Sequence, residues 1–174
     1  AVMHIRHHFP ECGPASWAAR KIARNIDHLF FITENERDKF IELGVDLKKL
    51  SHSVVYNGVD EEFRPTGKER PMGRAVVILF LGNISSRKGI DRLVDIAAVL
   101  QDRKILFKML ICGTPDRQKK FFVFRNRYEE NIRLRIQSLG LTGHINLVGH
   151  VADPREKLAE ADILVRPSRR NDPW

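Results

Sequence analysis

The sequence has 174 residues, with 30 Lys or Arg against 22 Asp or Glu, so the formal net charge is +8. A chain of this size that is 43% apolar can bury a core, which argues against a disordered protein. Its two cysteines, Cys12 and Cys112, are far apart in the sequence, which argues against a disulfide scaffold or a zinc knuckle. No apolar run approaches the roughly 20 residues that span a bilayer, so we expect a cytoplasmic protein. Its positive net charge suits an acidic partner, which could be nucleic acid, nucleotide phosphates or an anionic membrane surface.

The first sixty residues predict an α/β segment with alternating helices and strands. In chain order they are a helix over 16–25, a strand over 27–32, a helix that starts at the capping box 33–36 and ends at Gly44, a strand over 54–56 and a turn at 57–58. The polar residues from Asp60 to Arg74 follow without periodicity. We therefore predict a partial N-terminal domain over 1–58, a linker over 59–74 and a second domain over 75–174.

Three histidines, His4, His7 and His8, lie near a predicted strand end at the start of the chain. A histidine in such a place can act as a base or position a substrate. A surface cluster or a purification-tag remnant accounts for them equally well. No acidic pair and no nucleophile–base pair stands at motif spacing elsewhere, so spacing alone gives little catalytic signal.

The second half alternates strands and helices. The predicted elements are strands over 75–81, 105–111, 144–148 and 161–166, with helices over 90–101 and 128–139 and a short helix opened by Asp153 and Pro154. This order predicts a Rossmann-like parallel sheet with right-handed crossovers and helices on both faces. Ligands of such sheets bind beyond the carboxyl ends of the strands, so we expect function in the loops that follow them.

The loop from Gly82 to Gly89 joins a buried strand to a helix and contains Asn83, Arg87 and Lys88. Glycines allow close approach of a ligand to the backbone, and the helix N-terminus with two cations suits a phosphate or diphosphate. The spacing matches neither the P-loop nor the dinucleotide fingerprint. A plain strand-to-helix turn with solvated basic residues is an equally good interpretation of the spacing.

Two further glycines, Gly113 and Gly149, follow the next two strands. Each on its own only ends a strand. Together with Gly82 they predict a single crevice at one edge of the sheet.

The segment from Arg117 to Arg127 interleaves basic residues with Phe121, Phe122 and Phe124. Such a segment suits stacking on single-stranded nucleic acid or docking on an anionic membrane surface. A helix with its phenylalanines in the core and its charges in water is the interpretation we favour. The alternative function is therefore a basic module that binds nucleic acid or membrane without catalysis.

Four segments in this order resemble glycosyltransferase family 4: Val54–Asp60 with Phe63 and Pro65, Phe80–Gly89, Gly149–Val151 and Ala161–Ser168. The resemblance covers about residues 27 to 174 and implies a GT-B fold whose C-terminal domain binds a nucleotide-diphosphate sugar. It further implies sugar transfer with retention to a glycan, lipid-linked or small-molecule acceptor, with neither a catalytic metal nor a cofactor.

The resemblance also implies roles for individual residues. Lys88 matches the lysine that binds the donor diphosphate, and His150–Val151 match the loop whose backbone reads the base. Ser168 precedes the acidic loop, in which Asp172 matches the first acidic position and would hold the sugar hydroxyls. Asn83 replaces the usual arginine, and we hypothesise that Arg87 supplies the missing charge.

The family's N-terminal domain holds the acceptor and often a histidine near the reacting carbon, so the resemblance makes His7 or His8 a catalytic candidate. Because the second acidic residue would lie beyond Trp174, we expect a fragment of a longer protein that binds nucleotide weakly and does not transfer sugar alone. The partners implied are a nucleotide-sugar donor and a glycan or lipid-linked acceptor, with peripheral contact to an anionic membrane. Nucleic acid is disfavoured.

Overall fold

The computed structural model describes residues 2–5, 14–61, 63, 71, 73–115 and 127–169. The chain divides into two compact units, and their described residues lie within Ala1–Glu61 and Glu62–Arg170. Both units contain a parallel sheet with flanking helices. The α/β, Rossmann-like class predicted from the sequence is confirmed.

The first unit has a three-stranded sheet in the order β1-β2-β3. Its elements are β1 Val2–Ile5, α1 Pro14–Ala23, β2 His28–Phe31, α2 Glu34–Glu42, a 3-10 turn Leu47–Lys49 and β3 Ser51–Val54. One half of the predicted capping box forms, in which the Thr33 hydroxyl accepts a hydrogen bond of 3.2 Å from the Glu36 N–H. Gly44, at φ +81°, follows α2 as predicted.

The strand predicted over 54–56 is wrong in position. β3 starts at Ser51 and ends at Val54, and Tyr56 is 62% exposed. Asp46 caps the preceding 3-10 turn through the Lys48 N–H at 3.1 Å, and this turn brings the chain into register with β2 at Ser51. An edge strand that begins Ser-His-Ser lacks the apolar pattern from which strands are predicted.

The second unit has a four-stranded parallel sheet in the order β6-β5-β4-β7. Its elements are β4 Val76–Leu81, a 3-10 turn Ser86–Lys88, α3 Ile90–Asp102, β5 Phe107–Cys112, α4 Arg127–Ser138, β6 Ile145–Gly149, α5 Arg155–Glu160 and β7 Ile163–Leu164. The predicted order of helices and strands is confirmed.

Both faces of β4 and β5 are buried, which explains their unbroken apolar runs. On one face Phe80 and Ile111 pack with Leu93 of α3 and Ile132 of α4. On the other face the apolar core is smaller and includes Leu158 of α5 among its neighbours. Helices thus cover both faces of this sheet, as predicted.

The strand predicted over 161–166 is too long, because β7 pairs with β4 only at Ile163 and Leu164. Asp162 fixes its start: one carboxylate oxygen accepts from the Val77 N–H at 2.8 Å, and the other is bonded to the Arg74 guanidinium. The chain leaves the sheet after Val165, whose N–H donates to the Leu79 carbonyl. The last residues of the predicted strand therefore belong to a loop.

Candidate functional site

Three glycine loops meet at the carboxyl edge of the second sheet. The Gly82 N–H donates to the Cys112 carbonyl at 3.0 Å, and the Gly113 N–H donates to the Gly149 carbonyl at 2.7 Å. A Cβ on Gly113 would lie 1.8 Å from the Gly82 carbonyl oxygen, so only glycine permits this approach. The structure therefore brings the loops at Gly82, Gly113 and Gly149 together at one edge of the sheet, as predicted.

The loop after Gly82 ends in a cationic turn at the start of α3. Arg87 and Lys88 lie on the 3-10 turn Ser86–Lys88, and Gly89, the N-cap residue of α3, follows at φ +71° and has no side chain to cap the helix. The hydroxyl of Ser85 is buried and has no hydrogen-bond partner in the described part of the chain. The turn therefore presents two basic residues beside the N-terminus of α3.

The loop after β7 is held against this turn. A Cβ on Gly89 would lie 2.3 Å from the Pro167 carbonyl oxygen, which also accepts from the Arg92 guanidinium at 3.3 Å. The Arg169 N–H donates to the Arg87 carbonyl at 2.9 Å, and its guanidinium donates to the Ser86 carbonyl at 3.2 Å. The loops after β4 and β7 thus form one continuous surface.

A hydrogen-bond network anchors this surface to the helices. The Arg169 guanidinium pairs with the Asp91 carboxylate, which also accepts from the Tyr128 hydroxyl at 2.9 Å. The Asp91 N–H donates to the same hydroxyl at 3.2 Å. Asp91 lies in the first turn of α3 and Tyr128 in α4, so three elements are joined at one point.

The network sets the charges at the start of α3. Burial by itself would raise the pKa of Asp91, but hydrogen bonds from Tyr128 and Arg169 outweigh it and the pKa lies below its usual value. Burial, followed by the bond to Asp91, raises the pKa of Tyr128 to about 12. Asp91 is therefore ionised and Tyr128 neutral near pH 7, and Arg169 offsets the charge of Asp91 next to the cationic turn.

The other candidate residues lie around the same edge. Asn83, Arg87 and His150 are exposed, whereas Lys88 and Val151 are half-buried. Val151 packs on the smaller apolar core beside Cys112, and half-buried Ser168 directly precedes Arg169. Among the described residues, no hydrogen bond or ion pair joins Asn83 to Arg87. That Arg87 supplies the charge of the arginine replaced by Asn83 therefore stays a hypothesis.

Four of the predicted features lie outside the described residues. They are His7, His8, Asp172 and the basic, aromatic-rich segment up to residue 126. Of that segment Arg127 is described, as the first residue of α4. The catalytic roles expected of His7 and Asp172 therefore stay predictions.

Metal ligands and membrane-spanning helices are two further features that bear on the kind of site. Among the described residues, no group of three or more His, Cys, Asp or Glu side chains could hold a metal ion. Within those same parts of the chain, none of the helices is long and apolar enough to cross a membrane.

The sequence pattern did not predict Arg169 and Tyr128 as residues of the site. Arg169 is 83 residues from Ser86 and 78 residues from Asp91, so no local spacing links them. The signal that could have found Arg169 is its place directly after Pro167–Ser168, in a loop already expected at the functional edge. Tyr128 has no such signal, because its pattern is that of an ordinary helix residue.

Comparison with known proteins identifies the second unit most clearly. Residues 62–174 match the family model described as glycosyl transferases group 1. No curated protein matches the chain significantly in sequence.

Solved structures share the fold at low sequence identity. HepE from Anabaena, solved with UDP and glucose, superposes with a TM-score of 0.78 at 19% identity, over 99% of this chain and 47% of that one. A glycosyltransferase from Rickettsia africae gives 0.73 at 16% identity, over 98% and 46%. TarM gives 0.69 at 17% identity, over 98% and 32%. The chain thus spans about half the length of these structures or less, with the Rossmann-like arrangement of GT-B glycosyltransferases.

Proposed function

Because this chain belongs to the glycosyl transferases group 1, we propose that it forms the donor-binding part of a retaining glycosyltransferase of family 4. The enzyme moves a sugar from a nucleoside diphosphate to an acceptor. One observation carries the proposal: the glycine loops at Gly82, Gly113 and Gly149 meet at one sheet edge beside the cationic turn Ser86–Lys88. That edge is where doubly wound sheets bind nucleotides.

The turn and the start of α3 hold the diphosphate. Lys88 supplies a formal charge, and the N-terminus of α3 supplies its positive dipole end. Asp91 does not repel the phosphates strongly, because Arg169 neutralises it.

The base lies against the loop after β6. Gly149 carries φ +84° and its carbonyl bonds to Gly113, which leaves the backbone of His150 and Val151 at the rim of the crevice. The HepE structures contain UDP or UDP-glucose, which supports a uridine nucleotide as the first ligand to test.

Charge develops on the leaving diphosphate as the glycosidic bond breaks. Lys88 and the helix N-terminus stabilise that charge in place before the reaction, which lowers the barrier. We assign the sugar hydroxyls to Asp172 and the region of the reacting carbon to His7, without a catalytic metal. The acceptor is a glycan or a lipid-linked sugar, and the protein works in the cytoplasm at the membrane periphery.

The test is titration of the chain with UDP-glucose, followed by amide NMR and calorimetry. We expect saturable binding with shifts at Lys88 and Val151. Lys88→Ala should weaken binding at least tenfold, about 1.4 kcal/mol, as for loss of a charge-assisted hydrogen bond. Arg103→Ala is the matched control, since it removes one positive charge at the opposite end of α3, and should change affinity less than twofold.

Two results would contradict the proposal. One is equal loss of affinity in the Lys88 and Arg103 variants, which would show a non-specific charge effect. The other is a lack of saturable UDP-glucose binding in a chain that binds RNA or anionic vesicles with steep salt dependence.

A further inference from the structure

A cleft of about 490 Å³ lies in the first unit, away from the carboxyl edge of its sheet. It is lined by the end of α1, by the residues that follow α2 and by the 3-10 turn Leu47–Lys49. Ile26 and Leu50 in its wall come just before β2 and β3. The cleft therefore opens at the amino ends of these strands, and its volume is within the usual range for small-molecule sites.

The formal charge of the described lining residues is strongly unbalanced. Arg20 and Arg24, one helical turn apart on α1, line it together with Lys49. Among the described lining residues the sole acidic one is Asp46, whose carboxylate is 3.7 Å from the Lys49 ammonium. Three cations against one anion give +2, which complements a phosphomonoester that carries about −1.5 to −2 near pH 7.

The backbone after α2 lies close to one of these basic residues. Gly44 ends the turn after α2 at φ +81°, and a Cβ there would lie 3.5 Å from Nη1 of Arg20. Val45 is 4% exposed, and Ile26 and Leu50 pack on the core of the unit. Arg24 and Lys49 line the cleft beside these apolar residues, and a guanidinium group can bind a phosphate through paired N–H donors.

We propose that this cleft binds the phosphomonoester group of a ligand. Its residues belong to the first unit alone, so the site is distinct from the donor crevice of the second unit. A free phosphorylated molecule and a lipid headgroup share this chemistry. Trp17 is 61% exposed on the same face of α1 as Arg20 and Arg24, with the Lys21 ammonium 4.7 Å from its ring centre, so a bilayer that presents the phosphate would change its surroundings.

The experiment uses the full chain with two probes. Glycerol 3-phosphate is titrated by calorimetry, and phosphatidic acid in phosphatidylcholine vesicles is tested by co-sedimentation, with pure phosphatidylcholine vesicles as reference. Lys49→Gln should weaken binding about tenfold or more, whereas Lys48→Gln, the same change on the neighbouring residue outside the lining, should weaken it less than twofold. Asp46→Asn should tighten binding, because it removes the one opposing charge of the described lining.

A second matched pair lies on α1. Arg24→Gln should weaken binding of glycerol 3-phosphate as strongly as Lys49→Gln does, and Lys21→Gln should leave it within twofold. The mutated residues of both pairs, Lys21, Arg24, Lys48 and Lys49, are all exposed, so the variants should fold, which thermal melts can verify. A Trp174→Phe background leaves Trp17 as the sole tryptophan for fluorescence.

The outcomes separate the two ligand sources. Saturable binding of glycerol 3-phosphate with this variant pattern supports the site and a free ligand. Binding confined to phosphatidic acid vesicles, with a blue shift of Trp17 emission and the same Lys49–Lys48 contrast, supports the site and a lipid headgroup. The proposal is overturned if neither probe binds saturably. It is also overturned if Lys49→Gln and Lys48→Gln weaken binding equally.

Discussion

Replacement of Gly113 by alanine tests whether the carboxyl edge of the second sheet is built as described. The new Cβ would lie 1.8 Å from the Gly82 carbonyl oxygen and 2.7 Å from its carbonyl carbon, at φ +153°. Real Cβ atoms do not approach other atoms within about 3.0 Å, so the two loops must separate by at least about 1.2 Å. The obstacle is backbone, and no side-chain rotation can relieve it.

The magnitude follows from the hydrogen bonds at this point. Separation of the loops strains the bonds from Gly82 N–H to Cys112 and from Ile84 N–H to Thr114, together with the bond from Gly113 N–H to Gly149. Loss of two of them at about 1 kcal/mol each, plus about 1 kcal/mol for the backbone conformation, gives about 3 kcal/mol. For a chain of this length that corresponds to about 6–12 °C in Tm.

Two other glycines supply the controls in urea and thermal denaturation. A Cβ on Gly143 would have no atom within 4 Å and the residue has no positive φ, so Gly143→Ala should change the free energy of unfolding by less than about 0.5 kcal/mol. Gly140 has the same free space but φ +66°, so Gly140→Ala isolates the conformational part, about 1 kcal/mol. If Gly113→Ala is no more destabilising than Gly140→Ala, the close approach of the loops is refuted.

Further predictions concern the polar groups of the second unit. Asp162→Ala should lower the free energy of unfolding by about 1–3 kcal/mol, because it leaves the Val77 N–H without its acceptor. Urea denaturation measures this change, and the control Asp102→Ala, at the exposed end of α3, should leave the free energy of unfolding nearly unchanged. Arg169→Gln should raise the pKa of Asp91 by removing its cation, as a carboxyl NMR titration would detect; an unchanged pKa would contradict the ion pair. Asp91 has a lower pKa in the folded than in the unfolded chain, so its contribution to stability is complete above the unfolded pKa of about 3.9 and is lost as the pH falls through the folded pKa. Asp91→Asn should therefore lose less stability than the wild type between pH 7 and pH 3, and parallel losses would refute this.

The parts of the fold that the sequence predicts well are those where burial decides the residue pattern. Both β4 and β5 are covered on both faces, so their apolar runs mark them clearly. The edge strands follow a different rule. β3 carries polar residues at its start, so a prediction from the hydrophobic pattern puts this strand in the wrong place. β7 is two residues long with both side chains about half exposed, so the same kind of prediction makes it too long.

The site divides in the same way. Glycines after parallel strands predicted one crevice, since topology alone brings those loops to one edge. Arg169 was not predicted, because its role comes from contacts with Ser86, Arg87 and Asp91, which are close only after β4 and β7 have paired. A side chain that acts through such long-range contacts leaves no local periodicity or spacing in the sequence.

The two kinds of residue at the candidate donor site should also respond differently to mutation. Lys88 contributes charge from a half-buried position on a turn, so its removal should weaken nucleotide binding more than it lowers the stability of the unit. Gly113 contributes the space in which two backbones meet, so its replacement should reduce stability and binding together. Measurement of both quantities for both variants therefore separates recognition of the diphosphate from construction of the crevice. If Lys88→Ala were as destabilising as Gly113→Ala, the lysine would be part of the framework, and the assignment of its charge to the ligand would have to be abandoned.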